Sequence, residues 1–226
     1  MERLDGETVI VTGASRGLGA SMAGRFAREG ANTVLAARSR SDLEAVAAAA
    51  DGETLVVPAD VTDEAAVEAL VDAALETYGG LTGLVNNAAI GMLSLYDELR
   101  DVAEIDADDW RRILDVNVTG AFLCAKHAAR GMASGNVINV SSGLGRRGSA
   151  GWGPYVASKW ALEGFSRTLA LELEPEVNVN CLDAAERESI PDPDVMDDAA
   201  VALLAQDPGG VTGESLPADE WETRLG

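Results

Sequence analysis

The 226 residues are enough for one well-buried core, and no break in composition marks a second domain, so a single domain over 1–226 is expected. The chain carries 38 acidic residues against 17 basic ones, a formal net charge of −21 that disfavours nucleic-acid binding. No apolar run approaches the ~18 residues of a membrane span, and Met1 to Gly6 lead straight into the apolar Thr8 to Val11 without the pattern of an export signal, so a cytoplasmic protein is expected.

In chain order, β-branched runs predict strands at 7–12, 32–37, 54–58, 82–86, 135–141 and 176–182, with a short last strand at 213–217. Alanine-rich amphipathic stretches predict helices at 17–29, 40–50, 63–78, 108–131, 153–174 and 197–206. Their alternation implies repeated strand-helix units around a parallel sheet, an α/β class. Thr62-Asp63-Glu64 and Asp106-Ala107-Asp108-Asp109 place acceptors and negative charge at helix starts, where free amides and the macrodipole favour them. Two irregular stretches, 89–107 and 183–196, follow the carboxyl ends of strands. Ligands bind on that side of an open parallel sheet, so both are expected to wall a substrate cleft.

Two motifs carry chemistry. Thr12-Gly13-Ala14-Ser15-Arg16-Gly17-Leu18-Gly19 joins an apolar strand to a helix. Missing side chains at its glycines let the backbone turn tightly and bring helix amides toward a pyrophosphate. Far downstream, Tyr155 and Lys159 are four apart on a predicted helix, so the ammonium can lie beside the phenol and favour its ionised form. Ser142 lies thirteen positions before Tyr155. A phosphate-binding turn and an acid/base tyrosine together suit hydride transfer between a nicotinamide and a carbonyl or alcohol.

The spacing Gly-x-x-x-Gly-x-Gly resembles the turn of the short-chain dehydrogenase/reductase family. The resemblance extends through Asp60-Val61, Asn86-Asn87-Ala88, Asn117, Ser141-Ser142 and Tyr155 to Lys159, five motifs in order over nearly the whole chain. It implies a doubly wound Rossmann fold, an about seven-stranded parallel sheet with helices on both faces. It also implies roles. Tyr155 is the expected proton donor in reduction and acceptor in oxidation and is expected, with Lys159, to contact the cofactor, and Ser142 is the expected hydrogen-bond donor to the substrate oxygen. Lys159 favours the phenolate and binds the nicotinamide ribose, and Asn117 helps to hold a water that connects the lysine to solvent. Gly13, Ser15, Arg16, Gly17, Leu18 and Gly19 line the phosphates, Asp60 and Val61 the adenine, and Asn87 and Ala88 the nucleoside path. For Asn86 and Asn117 a purely stabilising role is nearly as well supported.

The end of the second strand, Leu35-Ala36-Ala37-Arg38-Ser39-Arg40, holds no acid to bind ribose hydroxyls and repel a 2′-phosphate. Ala37 stands where an NAD-preferring relative has aspartate, and Arg38 and Arg16 suit a phosphate by fork geometry and charge, so NADP(H) is the expected cofactor. The expected substrate is a small carbonyl or secondary alcohol, whether 3-oxoacyl thioester, sugar or simple ketone. Arg146, Arg147 and Trp152 lie near the expected cleft. Cys124 and Cys181 are expected to be small buried side chains, His127 an ordinary helix residue, and no spacing supports a metal site.

The pattern breaks after the sixth strand. Relatives carry a Pro-Gly pair where Val179-Asn180-Cys181-Leu182-Asp183 here leads to Ala184-Ala185, and Glu188 or Ser189 falls near the place of a customary threonine. The lid that follows is short. This keeps a second reading open, a catalytically weak dinucleotide-binding sensor or subunit. The resemblance implies a homodimer or homotetramer, with helices near 108–131 and 153–174 paired across a two-fold axis. Trp160, Leu162, Phe165, Leu169 and Leu173 give the latter more apolar positions than one packed face needs.

Only Lys126 and Lys159 are lysines among the 17 basic residues. Such a surface repels itself in dilute buffer, whereas at about 1 M salt the Debye length falls to roughly 3 Å and the repulsion is screened. A salt-rich, halophilic cytoplasm is therefore the expected setting. Structure and activity should both decline as salt is dialysed away, and melting curves that are unchanged in dilute buffer would overturn this expectation.

Overall fold

A computed structural model describes residues 2–184 and 193–225. Seven strands form in chain order: β1 (Thr8–Thr12), β2 (Asn32–Ala37), β3 (Thr54–Pro58), β4 (Gly83–Asn86), β5 (Gly135–Ser141), β6 (Val177–Asp183) and β7 (Ser215–Pro217). They pair in the order β3-β2-β1-β4-β5-β6-β7, and every pairing is parallel. Between them run α1 (Gly17–Arg28), α2 (Arg40–Ala49), α3 (Glu64–Tyr78), α4 (Ala107–Leu114), α5 (Gly120–Gly131), α6 (Gly153–Leu173) and α7 (Pro193–Leu204), and α8 (Trp221–Leu225) closes the described chain. The parallel sheet follows the alternation of elements, and its order is that of the doubly wound fold which the family resemblance implies.

Period-two alternation sorts each strand between two apolar layers. Val9 and Val11 of β1 join Met22 and Phe26 of α1, Leu43 of α2 and Met196 and Val201 of α7 on one face. Ile10 turns to the other, with Val67 and Leu70 of α3, Leu123 of α5 and Leu169 of α6. Burial of each large apolar side chain contributes roughly 1.5–3 kcal/mol, which holds the helices to the sheet. The terminus packs too, since Trp221 and Leu225 lie against the first layer.

Three element boundaries depart from the sequence expectation. The single helix expected over 108–131 is α4 and α5 joined by a π-helical turn, Asp115–Thr119, and that wider turn aims Asn117 inward, where it is 2% exposed. The helix expected at 197–206 begins at Pro193, a residue suited to a first helical turn because its missing amide has no partner there. The last strand is only Ser215–Pro217, because Gly213 takes a positive φ of 76° ahead of it and Pro217 cannot donate to a ladder. Of the stretch 183–196, Asp183 belongs to β6, and 185–192, including Glu188 and Ser189, lie outside the described residues.

Cys124 and Cys181 are buried, and desolvation pushes both thiols up to about 12. His127 is also buried, with Nε2 3.2 Å from Glu64 Oε1. No helix among the described residues is long and apolar enough to cross a membrane.

Where α1 meets α7, the Ser21 hydroxyl donates to Asp197 Oδ2 at 2.7 Å, and Arg25 pairs with the neighbouring Asp198 at 2.8 Å. Asp197 is 5% exposed, and desolvation pushes its carboxyl up to about 6, against help from Ser21 and Arg25 and with Asp194 and Asp198 adding to the rise. For an acid raised in the folded state, the stabilising contribution is complete below the ordinary carboxylate range and is lost as pH rises through about 6. Asp197→Asn keeps the Ser21 hydrogen bond and removes the buried charge. Melting curves should show a gain of roughly 2–4 °C near neutral pH that vanishes in acid below the unfolded carboxylate pKa.

Candidate active site

The glycine-rich turn follows β1 at the point where the sheet order reverses, between β2 and β4. Gly13 and Gly17 have φ of +66° and +59°, a left-handed backbone that favours glycine. At Gly19 the requirement is space, since a Cβ there would stand 2.4 Å from both Asn87 Nδ2 and Gly13 O. Asn87 secures the turn by donating from Nδ2 to Thr12 O at 3.0 Å and to Gly13 O at 3.3 Å. The Thr12 hydroxyl accepts from the amides of Asn87 and Ala88 at 3.0 and 3.1 Å.

Immediately after the turn, α1 begins without a side-chain cap on its amides and with no acid in its first turn. Those free N–H groups and the positive end of the macrodipole suit an anion. They open on a cavity of ≈ 840 Å³ lined by the whole turn from Ser15 to Gly19, with Gly13, and by Ala37, Arg38, Asp60, Val61, Asn87, Ala88 and Ile90. Every expected cofactor-binding residue apart from Tyr155 and Lys159 thus lies on one cavity wall or another. Hydrogen bonds from the Thr62 amide and hydroxyl, with the nearby Arg38 charge, hold the Asp60 carboxyl below its usual range despite partial burial. The uncapped helix, the glycine cradle and Arg16 and Arg38 together fit the phosphates of a dinucleotide.

Lys159 lies on the inner side of α6, 3% exposed, and donates from Nζ to Val140 O of β5 at 2.7 Å. Its ammonium is 5.5 Å from the centroid of the Tyr155 ring and makes no ion pair among the described residues. The Tyr155 ring also stacks edge-on with Trp152 at 5.5 Å, and a Cβ at Gly91 would meet it at 3.8 Å. Ser142, partly exposed just past β5, caps the short turn Gly143–Gly145, and its Oγ accepts from Leu144 N at 3.3 Å. Val140, which holds Lys159, is two residues before Ser142, so one strand end positions both groups.

Asn117 ties this cluster to the cavity. Its Oδ1 accepts from Ile90 N at 2.8 Å, while Nδ2 donates to Ile90 O and to Ser158 Oγ, each at 3.0 Å. Ile90 lines the cavity and Ser158 precedes Lys159, so one amide side chain joins β4's following loop to α6. Asn86 does different work, because Nδ2 donates to Asn139 Oδ1 at 2.9 Å and to Ala121 O at 3.3 Å, which ties β4 to β5 and α5. Trp152 flanks Tyr155 as its place near the cleft suggested, whereas Arg146 turns toward Asp183 and Ser215. The 89–107 stretch is ordered by Tyr96, whose hydroxyl donates to Asp109 at 2.6 Å and whose ring lies under Arg100 at 4.3 Å. Beside Tyr155 it forms a small apolar cluster of Met92, Tyr96 and Ile113 with Ile90, Ile105 and Trp152.

Sequence reasoning missed Arg111, Arg112 and Asp115, which close the cavity from α4 and the π-helical turn. The available signal was the polar face of α4, but only the tertiary placement of that helix aims it at the glycine turn.

A family model described as short chain dehydrogenase matches residues 7–187. A 2,5-dichloro-2,5-cyclohexadiene-1,4-diol dehydrogenase of Sphingobium indicum is 35% identical over 187 residues, covering 80% of this chain and 73% of its own length. A trans-4-hydroxycyclohexanecarboxylate dehydrogenase of Sinomonas cyclohexanicum is 36% identical over 191 residues, covering 79% and 71%. Among solved structures, a metagenomic short-chain oxidoreductase in complex with NADP superposes with a TM-score of 0.85 at 30% identity, covering 95% of this chain and 98% of that one.

The cradle at Gly19 has no room for a methyl group. Gly19→Ala should force Asn87 off the turn, lower the melting temperature and abolish dinucleotide binding, as read by quenching of protein fluorescence on titration with NADPH. Tight binding by this variant would remove the turn from the site.

Proposed function

Because the chain belongs to the short-chain dehydrogenase family, a family of oxidoreductases with hydroxy and keto substrates, we propose that it interconverts a small secondary alcohol and its ketone with NADP(H), using Tyr155 as acid and base. The observation that carries this reading is the buried Lys159 ammonium, fixed to Val140 O and lying under the Tyr155 ring next to the Asn117 tie.

The glycine turn, Arg38, Asp60, Val61, Asn87 and Ala88 would hold the dinucleotide, whose nicotinamide would supply or accept the hydride. The chain's residues manage the proton and the charge. In reduction, Tyr155 gives its phenolic proton to the substrate oxygen as the C–H bond forms, and in oxidation it takes that proton back. Ser142 donates a hydrogen bond to the same oxygen, where charge develops. Lys159 puts positive charge near the Tyr155 ring, 5.5 Å from its centroid, which favours the phenolate as the proton leaves, in a site where burial strengthens the effect. Asn117 holds Ile90 and Ser158 in register, and so keeps α6 at a set distance from the dinucleotide groove. Phosphate selection rests with Arg16 and Arg38, together with the absence of an acid at Ala37.

These two relatives are named for ring-borne hydroxyls, and the half-buried Ile90, Ile105 and Trp152, packed on the buried cluster of Met92, Tyr96 and Ile113 near Tyr155, suit a small carbocycle. Cyclic ketones therefore head the substrate panel, assayed at molar salt. NADPH should be consumed, and Tyr155→Phe should lower kcat by at least ~100-fold while cofactor affinity stays unchanged. Arg38→Asp should reduce the efficiency with NADP by about 10–100-fold and move preference toward NAD. Unchanged turnover in Tyr155→Phe would defeat the mechanism, and a native preference for NAD would defeat the cofactor assignment.

A further inference from the structure

Asp183 ends β6 directly opposite Ser141 in the register of β5 and β6. Its side chain is 0% exposed and holds an ion pair with Arg146, the residue that ends the turn begun by Ser142. From Arg146 the contacts continue. Nη1 donates to Ser215 Oγ at 2.5 Å, and that hydroxyl donates to Glu163 Oε1 at 2.9 Å. Glu163 is 3% exposed, stands one helical turn beyond Lys159 on α6, and pairs through Oε2 with Arg167 at 3.5 Å. Gly145 lets the two sides close, because a Cβ there would stand 2.9 Å from Ser141 Oγ and 3.0 Å from Glu163 Cγ.

A chain of charged and hydroxyl groups therefore joins the end of β6, the turn that carries Ser142, the edge strand β7 and the helix that carries Tyr155 and Lys159. Burying such charges costs several kcal/mol per ion, and an apolar pair of the same size would hold the layers with less penalty. What the ion pair adds is direction: a guanidinium fork fixes distance and angle where apolar contact fixes neither. Among the described residues Ser142 is held from within its own turn, its Oγ accepting from Leu144 N at 3.3 Å and its carbonyl oxygen from Gly145 N at 2.7 Å.

We propose that Asp183 and Arg146 are positioning residues of the reaction, which hold the Ser142 turn against β6 and α6 so that Ser142 Oγ and the Tyr155 phenol converge on one substrate oxygen. The inference rests on the assignment of Ser142 and Tyr155 made above. Neither Asp183 nor Arg146 touches the substrate; they act through the turn.

The test compares Asp183→Leu, Arg146→Met and the double variant, with kcat, KM for ketone, NADPH affinity and melting temperature measured for each. Arg146→Met takes the guanidinium from the buried Asp183 carboxylate, and Asp183→Leu takes the buried anchor from Arg146, which is 33% exposed; each should lower both stability and kcat. The double variant removes both charges of the pair, so it should recover most of the native melting temperature and the NADPH affinity while kcat stays about 10–100-fold low, as expected for a misplaced group. Ser142→Ala should cost less in the double variant than in the native chain, since the two changes remove the same alignment. Recovery of kcat together with stability would show that the pair only packs, and would overturn the proposal. So would equal losses from Ser142→Ala in both backgrounds. A native chain whose turnover survives both Ser142→Ala and Tyr155→Phe would overturn the site assignment itself and the proposal with it; one that needs both residues but not the ion pair would overturn the proposal alone.

Discussion

Parallel strands all point the same way, so the loops that follow them gather on one edge of the sheet, and the candidate site is built on that edge. The reversal of strand order between β1 and β4 sends successive connections to opposite faces and leaves a crevice between them. Into that crevice falls the glycine turn, held by the Thr12 hydroxyl and the Asn87 amide. Because the bonds that hold the turn come from strand ends, the geometry offered to an anion is as rigid as the sheet. The Tyr155 helix reaches the same edge by another route, through Lys159 bonded to the end of β5.

Positive charge is scarce in this chain, and its placement is selective. One of the two lysines forms an exposed pair with Glu64; the other is buried beneath Tyr155. Arg16 and Arg38 line the cavity with Arg111 and Arg112, while Arg146 is committed to Asp183. A net charge of −21 repels an anionic dinucleotide at long range, so the local field of these few cations would carry the attraction at contact. Salt that screens the acidic surface also eases the approach of the cofactor.

Much of this was legible in the sequence. Strand positions followed from β-branched runs bounded by turn residues, and the order of five motifs identified the family and brought Gly13 to Gly19, Arg38, Asp60, Val61, Asn87 and Ala88 to one cavity. Local pattern could not show the π-helical turn at Asp115–Thr119, because its cause is tertiary: Asn117 satisfies Ile90 and Ser158 at once. Nor could it place Arg146, whose partner lies 37 positions away across two strands. From sequence, Asp183 registered only as the residue that leads into Ala184-Ala185, where the Pro-Gly pair is missing. The fold shows it as a buried acid with a partner of opposite charge. The early start of α7 was hidden for a similar reason, since Pro193 reads as a breaker until its place in a first turn is known.

The two cysteines have a consequence of another kind. Both thiols lie inside the layers that sandwich the sheet, with ionisation pushed up to about 12, so the folded chain offers almost no thiolate to an oxidant or alkylating agent. Any modification of Cys124 or Cys181 must wait for a helix to lift from the sheet. The rate of labelling is thus set by opening of the core, and these side chains form an internal clock for its breathing.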